Sequence, residues 1–201
     1  MNVNTKKAPM DNLDARIAVM KAIGKDEICA AQDGAIKPAD GYLTGAQLGY
    51  SKTGADQLRE LYVFDPEGAK AAMEKAGYTM NSDGYYYKDG KKLTMEYLVA
   101  LDELDIKDAA PVMQAHLKKI GIDLQLKELE YSALREEVKA GNYDLASRSY
   151  SWPDADMFTW IFHTMAGYYS DPKLDALIDE ARYITDTSAR AEKYQEVQME
   201  A

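Results

Sequence analysis

The chain is poor in the residues that most often do chemistry. It has one cysteine, Cys29, and two histidines, His116 and His163. A lone cysteine excludes an internal disulfide. On the apolar run Glu27-Ile28-Cys29-Ala30-Ala31 it reads as a small buried hydrophobe, with no base near it in sequence. Two isolated histidines supply neither a nucleophile–base pair nor a metal cluster, so enzyme classes built on those are disfavoured. No apolar run approaches 18 residues, which excludes a membrane-spanning helix from the sequence. The first nine residues lack the apolar centre of a secretory signal, so the protein is cytosolic or its export signal lies outside this piece. Positive charge is in the minority. With 24 Lys and Arg against 34 Asp and Glu, the net charge is −10. That argues against nucleic acid, which needs a basic face, and against an anionic membrane surface. Phe is scarce at 3, whereas Tyr reaches 15. Tyrosine suits surfaces that are sometimes wet and sometimes covered.

What is present reads as alternating elements. Asp11–Ile23 has helical spacing, and Asp26–Asp33 follows as a second helix beyond Gly24. Residues 34–63 look irregular and Tyr-rich, with Tyr42, Tyr50 and Tyr62. A loop of that length inside a domain is usually functional or meets another body. Asp65-Pro66 opens a helix that Gly77 closes. Tyr85-Tyr86-Tyr87 reads as one arm of a hairpin that turns at Asp89-Gly90 into Lys92–Ala100. Ile106–Ile120 is a helix with Met113, Leu117 and Ile120 on one face, closed by Gly121. Ile122–Leu129 alternates as a strand. Tyr131–Ala140 is a helix ended by Gly141, and Tyr143–Tyr150 is a strand. Met157–Phe162, a helix from Asp171-Pro172 and a last helix from about Ser188 complete the chain. Strand–helix alternation between 92 and 150 predicts parallel strands at about 93–100, 122–129 and 143–150, in an α/β sheet flanked by helices plus a β-hairpin.

The stretch 141–163 is the most informative. The strand ends at Trp152-Pro153, because proline donates no ladder hydrogen bond. Ligands of open α/β sheets gather at the carboxyl ends of the strands. An exposed Trp152 beside Asp154 and Asp156 therefore suggests a binding surface. Tyr150 and Arg148 precede it, Tyr168 sits on the loop before the next helix, and Tyr42 lies on the 34–63 loop. Asp154 is also a candidate N-cap for Met157–Phe162. Trp160 and Phe162 are expected in the core. His163 with Asp156 makes no metal motif. The acid pair Asp154/Asp156 could in principle serve a glycosidase, but two residues apart on a loop the two need not face one substrate.

Several segments then resemble a known family in order and spacing. They are Leu13-Asp-Ala-Arg-Ile-Ala-Val-Met-Lys-Ala-Ile23, Tyr62-Val-Phe-Asp-Pro-Glu-Gly-Ala-Lys-Ala-Ala-Met-Glu-Lys-Ala-Gly-Tyr78 and Asp89-Gly-Lys-Lys-Leu93. Further on come Gln114-Ala-His-Leu-Lys-Lys-Ile-Gly-Ile122, Gly141-Asn-Tyr-Asp144, Tyr169-Ser-Asp-Pro-Lys-Leu-Asp-Ala-Leu-Ile178 and Arg190-Ala-Glu-Lys-Tyr-Gln-Glu-Val-Gln198. Together they look like the second lobe of the extracytoplasmic solute-binding proteins that serve peptide and nickel ABC importers.

The resemblance implies a periplasmic-binding-protein-like fold, with residues 1–201 as a single lobe of a larger clamshell. The first lobe, a secretory signal and often a lipid anchor are expected outside this piece. The implied function is capture of a small solute, an oligopeptide first, for delivery to a membrane permease; a metal chelate or oligosaccharide remains open. No enzyme activity, cofactor or protein-bound metal is implied. In peptide-binding members a Trp-x-x-Asp sequence follows the last strand, and its acid pairs with the peptide amine. One alignment places Arg148 at that Trp and Ser151 at that Asp. The other places Trp152 at the Trp and Ala155 at the Asp. Either way the amine anchor is absent or shifted. A reading of another class makes the Tyr-rich 34–63 loop a protein-interaction surface.

Overall fold

The computed structural model describes residues 1–33, 35–39, 41–149, 152–166 and 169–201. Its elements run β1 (Asn2–Val3), α1 (Leu13–Ala22), α2 (Lys25–Ala30), α3 (Lys52–Leu61), α4 (Pro66–Lys75), β2 (Thr79–Met80), β3 (Tyr86–Lys88), β4 (Lys91–Lys92) and β5 (Thr94–Ala100). There follow α5 (Leu104–Lys119), β6 (Asp123–Leu129), α6 (Tyr131–Ala140), β7 (Leu145–Ala146), α7 (Met157–Ile161), α8 (Pro172–Tyr183) and α9 (Thr187–Glu200), with a 3-10 turn at Thr164–Ala166. They divide into two units, Met1–Pro38 with Val63–Ser149, and Ala39–Tyr62 with Tyr150–Ala201.

Side-chain caps set most helix starts. Asp65 accepts from the Gly68 N–H at 2.8 Å ahead of Pro66, and Asp171 accepts from the Lys173 and Leu174 N–H groups ahead of Pro172. Ser51 and Asp186 cap α3 and α9 in the same way. Each cap satisfies a donor that the first helical turn leaves unpaired.

In the first unit the sheet order is β1-β7-β5-β6. β5 runs parallel to β6, from Thr94 opposite Asp123 to Ala100 opposite Leu129, and parallel to β7; β1 is antiparallel to β7. The three parallel strands expected from the alternation are all present. The last is shorter than Tyr143–Tyr150, and side chains account for this. The Asp144 carboxylate takes the Glu96 N–H at 2.7 Å, and the Ser147 hydroxyl takes the Ala100 N–H at 2.9 Å. Where side chains intercept ladder donors, regular pairing stops, leaving Leu145–Ala146.

The hairpin also differs from expectation. β3 turns at Asp89 and Gly90, both with positive φ, into a β4 of only two residues. At Leu93 the chain leaves this small antiparallel sheet, β2-β3-β4, and enters β5 of the other. The core packs α1, α4 and α5 on the sheet through Val19, Met73, Met95, Leu117, Ile122, Leu124 and Leu145. The expected α5 face, Met113, Leu117 and Ile120, is buried. Cys29 is half-buried rather than buried.

The second unit builds its own core from Leu43, Phe158, Leu174, Ile178, Tyr194 and Val197. Residues 34–63, read as irregular, contain the helix α3. Gly54 inside it masks the helical pattern. A Cβ there would lie 2.9 Å from the Met199 sulfur and 3.0 Å from Gln198 Nε2, so the glycine admits α9. Phe162 packs against this core as expected. Trp160 does not: it is 48% exposed.

Two stability changes follow. Gly121 has φ +93°, and a Cβ there would meet Met80 Cε at 2.6 Å and the Gly84 carbonyl at 2.9 Å. Gly121→Ala is expected to cost about 2 kcal/mol, read as a lowered melting temperature. Gln198 is 1% exposed, and neither amide atom has a hydrogen-bond partner. Gln198→Met keeps the shape and removes the unpaired groups, so thermal unfolding should shift upward by about 1 kcal/mol.

Candidate functional site

Residues 152–156 form a tight loop ahead of α7 in the second unit. The Trp152 carbonyl accepts from Gln47 Nε2 at 2.8 Å, which ties the loop to the 42–50 segment. The Trp152 side chain remains 48% exposed. Asp154 Oδ1 accepts the Asp156 N–H at 2.8 Å, a side-chain turn typical of aspartate. Asp154 is therefore not the N-cap of α7. Asp156 occupies that position in a helical conformation, without a capping bond from its side chain.

Both acids are held by arginines. Arg190 of α9 grips Asp154 as a fork, Nη1 to Oδ2 at 2.7 Å and Nη2 to Oδ1 at 2.8 Å. Arg190 in turn lies over the Tyr194 ring at 4.9 Å and donates to its hydroxyl at 3.3 Å. Asp156 Oδ1 accepts from Arg182 Nε of α8 at 2.8 Å and from the Thr159 hydroxyl at 3.1 Å. The Arg190 hydrogen bonds hold the Asp154 carboxyl below the usual carboxylate range, against the opposing pull of partial burial. The same bonds raise Arg190. Burial pushes the Tyr194 phenol up to about 12.

Tyr42 stands in the same unit, edge-on to Phe162 at 4.7 Å and to Phe158 at 6.1 Å. Packing of its phenol, with Tyr62 adding, pushes it up to about 12, although 39% of the residue is exposed. The structure thus gathers Trp152, Asp154, Asp156 and Tyr42 in one unit. Arg148 lies half-buried in the other. Tyr150 and Tyr168 fall outside the described residues. His163 is nearest Asp179 at 3.5 Å and Asp175 at 4.0 Å, not Asp156. No group of three or more His, Cys, Asp and Glu side chains among the described residues is placed to hold a metal.

Gln47, Arg182 and Arg190 escaped sequence reasoning. Arg190 does open one of the resembling segments, but its partner is 36 residues away. A concavity of about 510 Å³ lies in the first unit beside Asn12, Tyr78, Lys91 and Thr94. It sits at the amino end of β5, away from the carboxyl end where sequence reasoning placed a ligand. Two more of its lysines are engaged, Lys88 with the Ala76 carbonyl and Lys92 with Asp123.

The profile of the bacterial extracellular solute-binding proteins, family 5 middle region, matches residues 1–170. The chain belongs to this family. Among family 5 relatives, the oligopeptide-binding protein AppA of Bacillus subtilis is 28% identical over 147 residues, 68% of this chain and 27% of that protein. The nickel-binding periplasmic protein of Escherichia coli is 27% identical over 208 residues, 97% of this chain and 38% of that protein. The solved structure of Bacillus subtilis AppA with a nonapeptide superposes with a TM-score of 0.84 at 24% identity, covering 99% of this chain and 41% of that one. NikA from Brucella suis with Fe(III)-EDTA gives 0.81 at 26%, again covering 99% and 41%. The chain therefore spans between about a quarter and two-fifths of the length of these family 5 relatives. They are binding proteins rather than enzymes, and the α/β architecture with its partly parallel sheet is theirs. No helix among the described residues is long and apolar enough to cross a membrane.

The arginine fork has a pH signature. Asp154 has a depressed folded pKa, so its contribution is present above the unfolded value and is lost as pH falls through the lower folded one. Asp154→Asn should cost about 1–2 kcal/mol at pH 7, a modest figure for a carboxylate one-third exposed. The gap to the unsubstituted chain should narrow once the pH drops below about 4. Urea unfolding from pH 7 to pH 2.5 measures it, and a constant gap would dismiss the fork's role.

Proposed function

We propose that residues 1–201 form one lobe of a two-lobe solute-binding component of an ABC importer, and that it acts outside the cytoplasm. The lobe helps to enclose a small solute, an oligopeptide first, and hands it to a membrane permease without changing it chemically. The observation that carries this reading is the family match over 1–170, joined to the near-complete superposition on AppA holding a nonapeptide. Trp152 supports it locally. A half-exposed indole whose backbone is fixed by Gln47 is a pre-formed apolar wall, the kind of surface that lines solute sites. Tyr42, in the same unit, is a further contact in this proposal. A metal chelate is the second reading, favoured by 27% identity over 97% of the chain to the nickel-binding relative.

In the full-length protein, Trp152→Ala is expected to weaken peptide binding by about 1–3 kcal/mol, as loss of an aromatic contact does. Calorimetry with an oligopeptide mixture, run beside thermal melting, measures it. A sharp fall in melting temperature with unchanged affinity per folded molecule would make Trp152 a packing residue. The Tyr42 segment would then become the preferred wall.

A further inference from the structure

Resting on the solute-binding reading, the clamped loop says what kind of chemical group Trp152 receives. An indole beside two carboxylates is a natural seat for a cation when the carboxylates are free. Here each is matched by a guanidinium. Both Asp154 oxygens are in the Arg190 fork, and Oδ1 also takes the Asp156 N–H. Asp156 Oδ1 serves Arg182 and Thr159. A solute ammonium would have to displace a two-point charge-assisted contact that Tyr194 backs from behind.

We propose that Arg190 and Arg182 are positioning residues for Trp152. By neutralising Asp154 and Asp156 they fix the loop and leave an uncharged aromatic wall, and the solute group that rests on it is neutral and apolar. The acids serve the loop's shape and make no contact with the solute's charge.

The test uses the full-length protein, in which the Trp152 indole resonance is assigned by its loss in Trp152→Phe. That ¹⁵N-labelled resonance and the share of acrylamide quenching lost in the same variant report where Trp152 sits. Arg190→Met should displace the resonance and raise quenching about twofold or more, with Arg190→Lys between, because lysine keeps the charge and loses the fork. Arg182→Met serves as a second probe if Arg190→Met fails to fold. Melting curves run alongside, since a purely structural arginine would lower the melting temperature and leave the folded chain's indole signal in place. That last result overturns the proposal.

Two probes then address the solute group, a blocked tripeptide (acetyl-Ala-Phe-Ala-amide) and its free-amine counterpart. Both should shift the Trp152 resonance with affinities within about threefold of each other. A preference of about tenfold or more for the free amine, abolished by Asp154→Asn, also overturns the proposal. If neither peptide moves the indole, the solute-binding reading fails at this wall, and the response to Arg190→Lys still decides the positioning claim.

Discussion

The first unit depends on β5 being paired along both edges. A strand buried between neighbours must find a partner for each backbone N–H and C=O, since water is excluded from the sheet's centre. β6 satisfies one edge over seven residues in continuous parallel register. β7 satisfies the other with only two residues of regular ladder, and Asp144 and Ser147 complete it with side-chain oxygens. Asp144 is 4% exposed and is compensated by Lys7 at 2.9 Å, so the buried carboxylate does not stand uncompensated. Shortening the ladder in this way lets the chain leave the sheet soon after Ala146.

The second unit relies on a different device. Within its largely aliphatic core Phe158 stacks on both Phe162 and Tyr194, and its described residues form helices and no strand. Aromatic packing fixes α7 against α9, but it does not fix the polar loop ahead of α7. The two arginines do that, one from each of the last two helices. Such ion pairs add little stability when exposed, yet their fork geometry is directional and so well suited to specifying shape.

Sequence reasoning reached those parts of the fold that local chemistry encodes. Asp65-Pro66, Gly77, Asp171-Pro172 and Gly141 are start and stop signals whose effect acts within one turn, and all of them hold in the structure. It failed where distant residues decide. Gly54 reads as a breaker until it is seen buried inside α3 and facing Met199 and Gln198 of α9. Trp160 reads as core by helical spacing, but the short α7 presents it outward. The site shows the same divide. Trp152 and its acids were visible as a cluster in sequence. That the acids are already satisfied was not, because Arg182 and Arg190 reach them from two later helices.

The pairing of α3 with α9 has a consequence for the order in which the protein is made. α3 ends at Leu61, and α9 begins at Thr187. At ribosomal rates of about 5–20 residues per second, α3 waits roughly 6–25 s for the helix that Gly54 is shaped to receive. During that interval its Ala55 face, buried in the finished molecule, has no α9 to cover it. The second unit therefore cannot close as the chain emerges, even though its first segment is translated before most of the first unit.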